Sequence, residues 1–304
     1  MTQLISVTDG RVSIRSEDRA GAGPVAAIVS GDVIAGWVSY DGEWDRLAPG
    51  EGLVRYDMRA RSFGHDQAFR ALQLLLHHLA TRSDYRTTVL RVPPGDPGAR
   101  ALATAAGFTC GPGAGGDGVL KRPVPPVRYT DGVVTIRRQR PDDIDRHLEA
   151  IDNVQIDWLW EPGDRQKWEA LTPAQQRARN MQHLRTCHES FGTGPKWTFS
   201  ADSASATYVA YVDCDLANDH VPPGEANIAY TAHPAHRGRG NVSRAVRLIM
   251  QFLRDHTGAH TAHIVVDARN TASLRVPPAV RAVESERWQD KYGRTMIRHV
   301  ADLR

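Results

Sequence analysis

A glycine-rich turn set between an apolar strand pattern and an apolar helix pattern constrains this chain more than any other segment. The turn is His233-Pro234-Ala235-His236-Arg237-Gly238-Arg239-Gly240-Asn241. Before it, Ala226-Asn227-Ile228-Ala229-Tyr230-Thr231 reads as a strand. After it, Val242, Ala245, Val246, Ile249, Phe252 and Leu253 recur at steps of three and four, one face of a helix. A turn that opens a helix in this way points unpaired backbone N–H groups at whatever sits at the helix N-terminus. The helix dipole favours an anion there, and Arg237 and Arg239 add positive charge. The expected ligand carries phosphate. No Lys-Ser or Lys-Thr follows the glycines, which excludes a nucleotide-triphosphate loop, and Gly238-x-Gly240 lacks the third glycine of a dinucleotide site.

What remains is Arg-x-x-Gly-x-small, running from Arg237 to Val242, and it resembles the pyrophosphate-binding motif of the GNAT acyltransferase superfamily, which binds acetyl-CoA. The likeness continues downstream. Thr261 to Asp267 reads as a second strand, and Asp267-Ala268-Arg269-Asn270-Thr271-Ala272-Ser273 is similar to the Asn-x-x-Ser start of that family's next helix. The resemblance implies acetyl-CoA or another acyl-CoA as co-substrate, no metal, and a cofactor site made of Tyr230, Thr231, Ala232, Arg237, Gly238, Arg239, Gly240, Asn241, Val242 and Asn270. Val242 stands where the family has glycine or alanine, but its backbone N–H is still available to an anion.

Composition is compatible with this and identifies nothing by itself. At 304 residues the chain has room for about two ordinary domains. It has no apolar run of membrane-spanning length, and Met1-Thr2-Gln3-Leu4 lacks a signal-peptide pattern, so a cytoplasmic protein without a membrane partner is expected. Cys110, Cys187 and Cys214 are too scattered for a disulfide framework or a zinc site. The net charge of +3 gives no support to nucleic-acid binding, and a homodimer remains open.

The organisation is bipartite. Gly111 to Gly118 is a flexible turn, and Pro123-Val124-Pro125-Pro126 a stiff connector, which divides the chain into 1–126 and 127–304. The second part opens with the strand Val133 to Ile136 and a helix at Pro141-Asp142-Asp143. In the first part, Val25 to Ser30 and Asp32 to Tyr40 form a hairpin pattern, Leu53 to Arg59 a strand, and Ala68, Leu72, Leu75, Leu76 and Leu79 a helix. Ala105-Ala106-Gly107-Phe108 resembles the Gly-Phe that closes the last helix of many GNAT domains. The equivalent loop would be Arg61-Ser62-Phe63-Gly64-His65-Asp66, where one glycine is left and Asp66 opposes an anion. The fold expected is therefore α/β (α+β): two GNAT-like domains, each a mixed, mostly antiparallel sheet flanked by helices, the first degenerate and non-catalytic, the second catalytic.

Acyl transfer to an amine sets the chemical requirements. An alkylamine of pKa about 10 must lose a proton before attack, whereas a thiol of pKa about 8.5 leaves with little help. Backbone N–H groups at Tyr230 to Ala232 are natural donors to the tetrahedral oxyanion. Where many family members carry a basic glutamate in the strand, this chain has Asn227, which cannot take a proton. Glu225 lies on the same face by the period of two and is the substitute, with a solvated strand-end glutamate as the competing reading. The family's frequent tyrosine acid falls at Pro277. Ser273 is left as the acid, as proposed for ribosomal-protein-type N-terminal acetyltransferases, with turn capping as its other reading, and Asn270 is counted with the catalytic group. Pro277-Pro278 should break the helix that starts at Asn270, and Arg281-Ala282 replaces the closing Gly-Phe.

For the acceptor, the run Gln155 to Asp164 is aromatic and acidic, and Asp157, Trp158, Trp160 and Glu161 could hold a cationic amine, although the tryptophans also read as core. Asp213 and Asp215 share a strand face and could join them, or that face could simply be solvated. His256, His260 and His263 share no helical face, because Gly258 interrupts it, and are not read as metal ligands. The function expected is direct N-acyl transfer from acyl-CoA to a primary amine of a small metabolite in a ternary complex. The alternatives are a protein N-terminal amine as acceptor, or a non-catalytic CoA-binding scaffold.

Overall fold

The computed structural model describes residues 5–16, 25–42, 44–58, 65–93, 95–110 and 118–304. Met1 to Leu4, positions 61–64 of the degenerate loop and 111–117 of the glycine run lie outside the described residues. The chain divides into two units: Met1–Val127 with Gly192–Pro195 and Asp255–Gly258, and Arg128–Phe191 with Lys196–Arg254 and Ala259–Arg304.

Short β-branched and aromatic runs between turn residues give the first unit a sheet of β1 (Ser6–Thr8), β2 (Val12–Ser16), β3 (Val25–Ser30), β4 (Val33–Asp41), β5 (Glu51–Met58), β6 (Thr87–Arg91), β7 (Thr109–Cys110) and β8 (Val119–Pro123). Helix α1 (His65–Arg82) follows β5, and α2 (Pro97–Ala105) follows β6. The strand order is β1-β2-β3-β4-β5-β6-β8-β7, antiparallel throughout except for the parallel pair β5 and β6. Leu72, Leu75, Leu76 and Leu79 of α1 pack against Ile14, Ile28, Val38 and Val54 of the sheet in one apolar core. Asp66, in the first turn of α1, lies 3.2 Å from Arg70 and 3.4 Å from Arg11.

The second unit repeats the plan. Its strands are β9 (Tyr129–Thr130), β10 (Val134–Arg138), β11 (Lys196–Ser203), β12 (Ala210–Asp215), β13 (Ala226–Ala232), β14 (Thr261–Asp267), β15 (Val283–Gln289) and β16 (Thr295–Asp302). Read from β9, the order is β9-β10-β11-β12-β13-β14-β16-β15, again with one parallel pair, β13 and β14. What the second unit adds is α3 (Ile144–Ala150), α4 (Asn153–Leu159), α5 (Asp164–Glu169) and α6 (Pro173–Ser190), all between β10 and β11. The corresponding connection in the first unit, residues 17–24, is too short to hold such a set. Helix α7 (Asn241–His256) follows β13 and buries Ala245, Val246, Ile249, Phe252 and Leu253 completely, the face its periodicity predicts. Phe252 is the hub of an aromatic cluster with Phe199, Trp197 and Phe191, at centroid distances of 4.9, 5.7 and 6.1 Å.

Two local expectations meet different outcomes. Gly107 closes α2 with φ +81°, and the Phe108 N–H bonds the Ala103 carbonyl, as a glycine C-cap should. The prolines, however, do not break a helix running from Asn270. A 3-10 turn covers Ser273–Arg275, and a single turn, α8 (Val276–Ala279), then carries Pro277 and Pro278 at its start, where a missing N–H costs nothing. Arg281 takes the left-handed position of Gly107 with φ +63°, and the Ala282 N–H bonds the Pro277 carbonyl. Left-handed backbone costs a residue with a Cβ about 1–2 kcal/mol. Arg281 already bears that cost, so Arg281→Gly should raise stability by roughly 1 kcal/mol, whereas the β-branched Arg281→Val should lower it further, as read from urea denaturation midpoints.

Candidate active site

β13 runs through a 3-10 turn, Pro234–His236, into the glycine loop and then α7. Gly238 and Gly240 have φ of +73° and +75°, and a Cβ on either would meet nothing within 4 Å. Backbone conformation, rather than crowding, demands glycine there. The first bond into the helix is from the Arg244 N–H to the Gly240 carbonyl at 3.2 Å. Among the described residues, no acceptor meets the N–H groups of 238–243. These face a cavity of about 400 Å³ lined by the loop, Tyr230, Thr231, Ala232, Trp158, Asn270 and Ser273. All the cofactor positions expected from sequence border this one cavity.

The two loop arginines differ. Arg239 is exposed and forms no ion pair among the described residues. Arg237 instead grips both carboxylate oxygens of Asp152 at 2.7 Å, which holds the Asp152 carboxyl below the usual range. The Arg237 side chain is thus committed to a carboxylate. His236 also lines the cavity, and burial, then Arg239, His233 and Arg146, pull its imidazole pKa down.

A second cavity, of about 500 Å³, shares Gln155, Leu159, Tyr230 and Thr231 with the first. The junction follows from strand register. β13 pairs in parallel with β14 only at Ala226–Ala262 and Asn227–His263, so beyond Asn227 its outer edge leaves β14. On its other side it stays paired with β12 as far as Ala232.

The second cavity brings Trp160, Glu161 and Asp213 together. Asp213 is only 4% exposed, which corrects the expectation of a solvated strand face. It accepts the Tyr211 hydroxyl at 2.5 Å and lies 3.7 Å from Lys196 Nζ. Burial pushes its carboxyl pKa upward against these partners. Glu161 is exposed and paired with Lys291 at 2.9 Å. Trp160 packs edge-on against Trp168 at 5.6 Å.

Three expected residues fall elsewhere. Asp157 is exposed, pairs with Arg165 and borders neither cavity. Trp158 belongs to the first cavity, with the Arg269 guanidinium 5.7 Å from its ring, because α4 ends between it and Trp160. Glu225 also borders neither cavity; its carboxylate binds His263 and lies 3.9 Å from His260. Its face is the expected one, but five residues of extended strand put Glu225 roughly 16 Å from Tyr230. Asn270 and Ser273 act on backbone: Asn270 Oδ1 accepts the Ser273 N–H at 3.0 Å, and the Ser273 carbonyl accepts the Tyr230 hydroxyl at 3.2 Å.

Several lining residues carried no sequence signal. His147 of α3 bridges the Tyr208 hydroxyl at 2.7 Å and Asn180 Oδ1 at 3.0 Å, and burial lowers its pKa to about 4, so it is neutral at physiological pH. Gln139 donates to the same hydroxyl at 3.2 Å. Tyr211 alone was within reach of sequence reading, two positions before Asp213 on one strand face. Among the described residues, no group of three His, Cys, Asp or Glu could hold a metal ion.

Residues 134–280 match the family model described as acetyltransferase (GNAT) domain. The chain carries a GNAT acetyltransferase domain. The glycine loop and both cavities lie inside the matched residues. Among solved structures, the chain is similar to Mycobacterium smegmatis RimJ in complex with CoA-disulfide, at 18% identity over 56% of this chain and 82% of that one, with a TM-score of 0.46. It is also similar to the ribosomal-protein-S5-alanine acetyltransferase from Vibrio fischeri, at 15% identity over 58% and 96% of the two chains, with a TM-score of 0.48. No curated protein matches the chain in sequence. No helix among the described residues is long and apolar enough to cross a membrane.

GNAT acetyltransferases use acetyl-CoA, and the unpaired N–H groups at the start of α7 fit an anionic part of it. Replacing Gly240 with glutamate adds backbone strain and a negative charge at the cradle. Affinity for CoA should fall by about 100-fold or more in titration calorimetry, and unchanged affinity would remove the loop from cofactor binding.

Proposed function

We propose that residues 127–304 form an acetyl-CoA-dependent N-acetyltransferase that acetylates a primary amine of a small metabolite by direct attack in a ternary complex, and that residues 1–126 are a degenerate, non-catalytic copy. The observation that carries this is the meeting of two cavities at Tyr230 and Thr231, on the edge of β13 that β14 leaves free. One cavity has a cradle for an anion, the other a buried carboxylate. Acetyl-CoA supplies the thioester. The loop N–H groups and Arg239 hold its pyrophosphate, and N–H groups of β13 near Tyr230 stabilise the oxyanion. A volume of about 500 Å³ suits a small molecule. The second cavity is walled by His147, Trp160, Trp168 and Asn180, all from the segment between β10 and β11 that is so short in the first unit.

Asp213 takes the place of Glu225 as the base. A carboxylate raised by burial accepts a proton more readily than an exposed one, and it sits across from Ala229, one residue before Tyr230. Tyr211 orients it. Ser273, beside the first cavity, is the donor to the departing thiolate.

Thiol release from acetyl-CoA, measured across small amines and N-terminal peptides, tests this reading. Turnover should appear with a small amine, whereas CoA-induced thermal stabilisation with no turnover on any amine would favour a non-catalytic CoA-binding protein. Asp213→Asn should lower kcat by about 10²–10⁴-fold and leave CoA affinity unchanged. The base must be ionised, so activity is lost as pH falls through the Asp213 pKa, which burial raises from the ordinary aspartate value. Tyr211 stabilises the ionised form, so Tyr211→Phe should move the acidic limb of kcat/KM to higher pH.

A further inference from the structure

The bidentate contact between Arg237 and Asp152 joins two elements that face different ligands. Arg237 opens the glycine loop. Asp152 is the N-cap of α4, and its Oδ1 accepts the Gln155 N–H at 2.9 Å as well as Arg237 Nη2 at 2.7 Å, while Oδ2 takes Nη1 at 2.7 Å. From that anchored first turn, Gln155 lines both cavities, and its Oε1 is buried with no hydrogen-bond partner among the described residues. Trp158, one turn further on, lines the loop cavity, and Leu159 lines both. A buried carbonyl oxygen without a partner is costly until a donor reaches it, and at a junction of cavities a ligand N–H can be that donor; its place depends on where α4 begins.

We propose that Asp152 is a positioning residue of the transfer reaction: it couples the anion loop to α4, so that filling the loop fixes Gln155 at the junction where Oε1 accepts an N–H of the bound reactants. This rests on the reading of the loop as the CoA site. Arg237 then serves as a tether whose charge Asp152 neutralises, and the anion is held by backbone N–H groups and Arg239. A surface ion pair alone contributes little to stability. The function of this one lies in what its two ends carry.

Asp152→Asn separates the two roles of the residue, because asparagine caps a helix as well as aspartate but removes the charge partner of Arg237. Hydrogen–deuterium exchange is read over segments 153–160 and 237–244, with and without CoA. In the unmodified protein CoA should slow exchange in both segments. In D152N it should slow 237–244 but no longer 153–160, and CoA affinity at low salt should rise several-fold, because the released guanidinium faces the anion. Arg237→Gln breaks the same pair without touching the cap and should also abolish the CoA effect on 153–160. Simple structural damage would weaken CoA binding by D152N instead of strengthening it. The coupling is overturned if CoA fails to protect 153–160 in the unmodified protein, or still protects it in D152N. Absence of protection at 237–244 in the unmodified protein would instead overturn the cofactor reading beneath it.

Discussion

The parting of β13 from β14 after Asn227 is the constraint on which the rest of the site depends. Two parallel strands held together at only two register positions leave the end of one with an unshared edge. Buried backbone N–H and C=O groups must find partners, so such an edge is a standing site for an extended polar ligand. Both cavities reach Tyr230 and Thr231, beyond the last register position shared with β14. Helix α7 holds the arrangement in place: its apolar face is fully buried through Phe252, and this fixes the glycine loop at its start relative to the strand that precedes it.

Comparison of the two units separates scaffold from equipment. Both sheets have the same strand order and one parallel pair in the same place, and each follows that pair's first strand with a long helix. The shared scaffold lacks one element of the second cavity, the helices between β10 and β11. That cavity needs side chains from the connection between β10 and β11, where α3 and α6 are linked through His147 and Asn180. The network from Gln139 through Tyr208 and His147 to Asn180 has a direction fixed by its ends: Gln139 donates to the tyrosine, the tyrosine to His147 Nδ1, and His147 Nε2 to the Asn180 oxygen. A neutral imidazole satisfies both of its own ring nitrogens in this network, which agrees with the lowered His147 pKa.

Much of the fold was legible in the sequence because its signals are local. β13, α7 and β14 follow from periodicity and glycine punctuation, and the loop from the residues that open a helix. The site was less legible, because it depends on cross-strand register and on burial. Glu225 lies on the expected face of β13 but borders neither cavity, since a period of two fixes side and not distance. Asp213 looked like half of a solvated pair, and only its register opposite Ala229 and the covering helices make it a buried group. Trp158 and Trp160 read as one aromatic cluster, yet the end of α4 sends them to different cavities. Arg237 read as a phosphate ligand because nothing local announces a carboxylate 85 residues away.

The charges around the second cavity explain why one carboxylate among several is suited to meet an amine. Glu161 and Asp164 are solvated and each faces a lysine, at 2.9 and 2.8 Å, so a cationic ligand would have to displace a partner screened by water. Asp213 is desolvated, and its nearest cation, Lys196, stands at 3.7 Å. An ammonium group brought to it gains more than it would at the rim, because attraction is less screened there. Removing a proton from that ammonium then relieves the burial of two charges together. In the proposed reaction, the burial that makes Asp213 an unfavourable ion in the free protein is thus the property that would let it receive a proton from an amine.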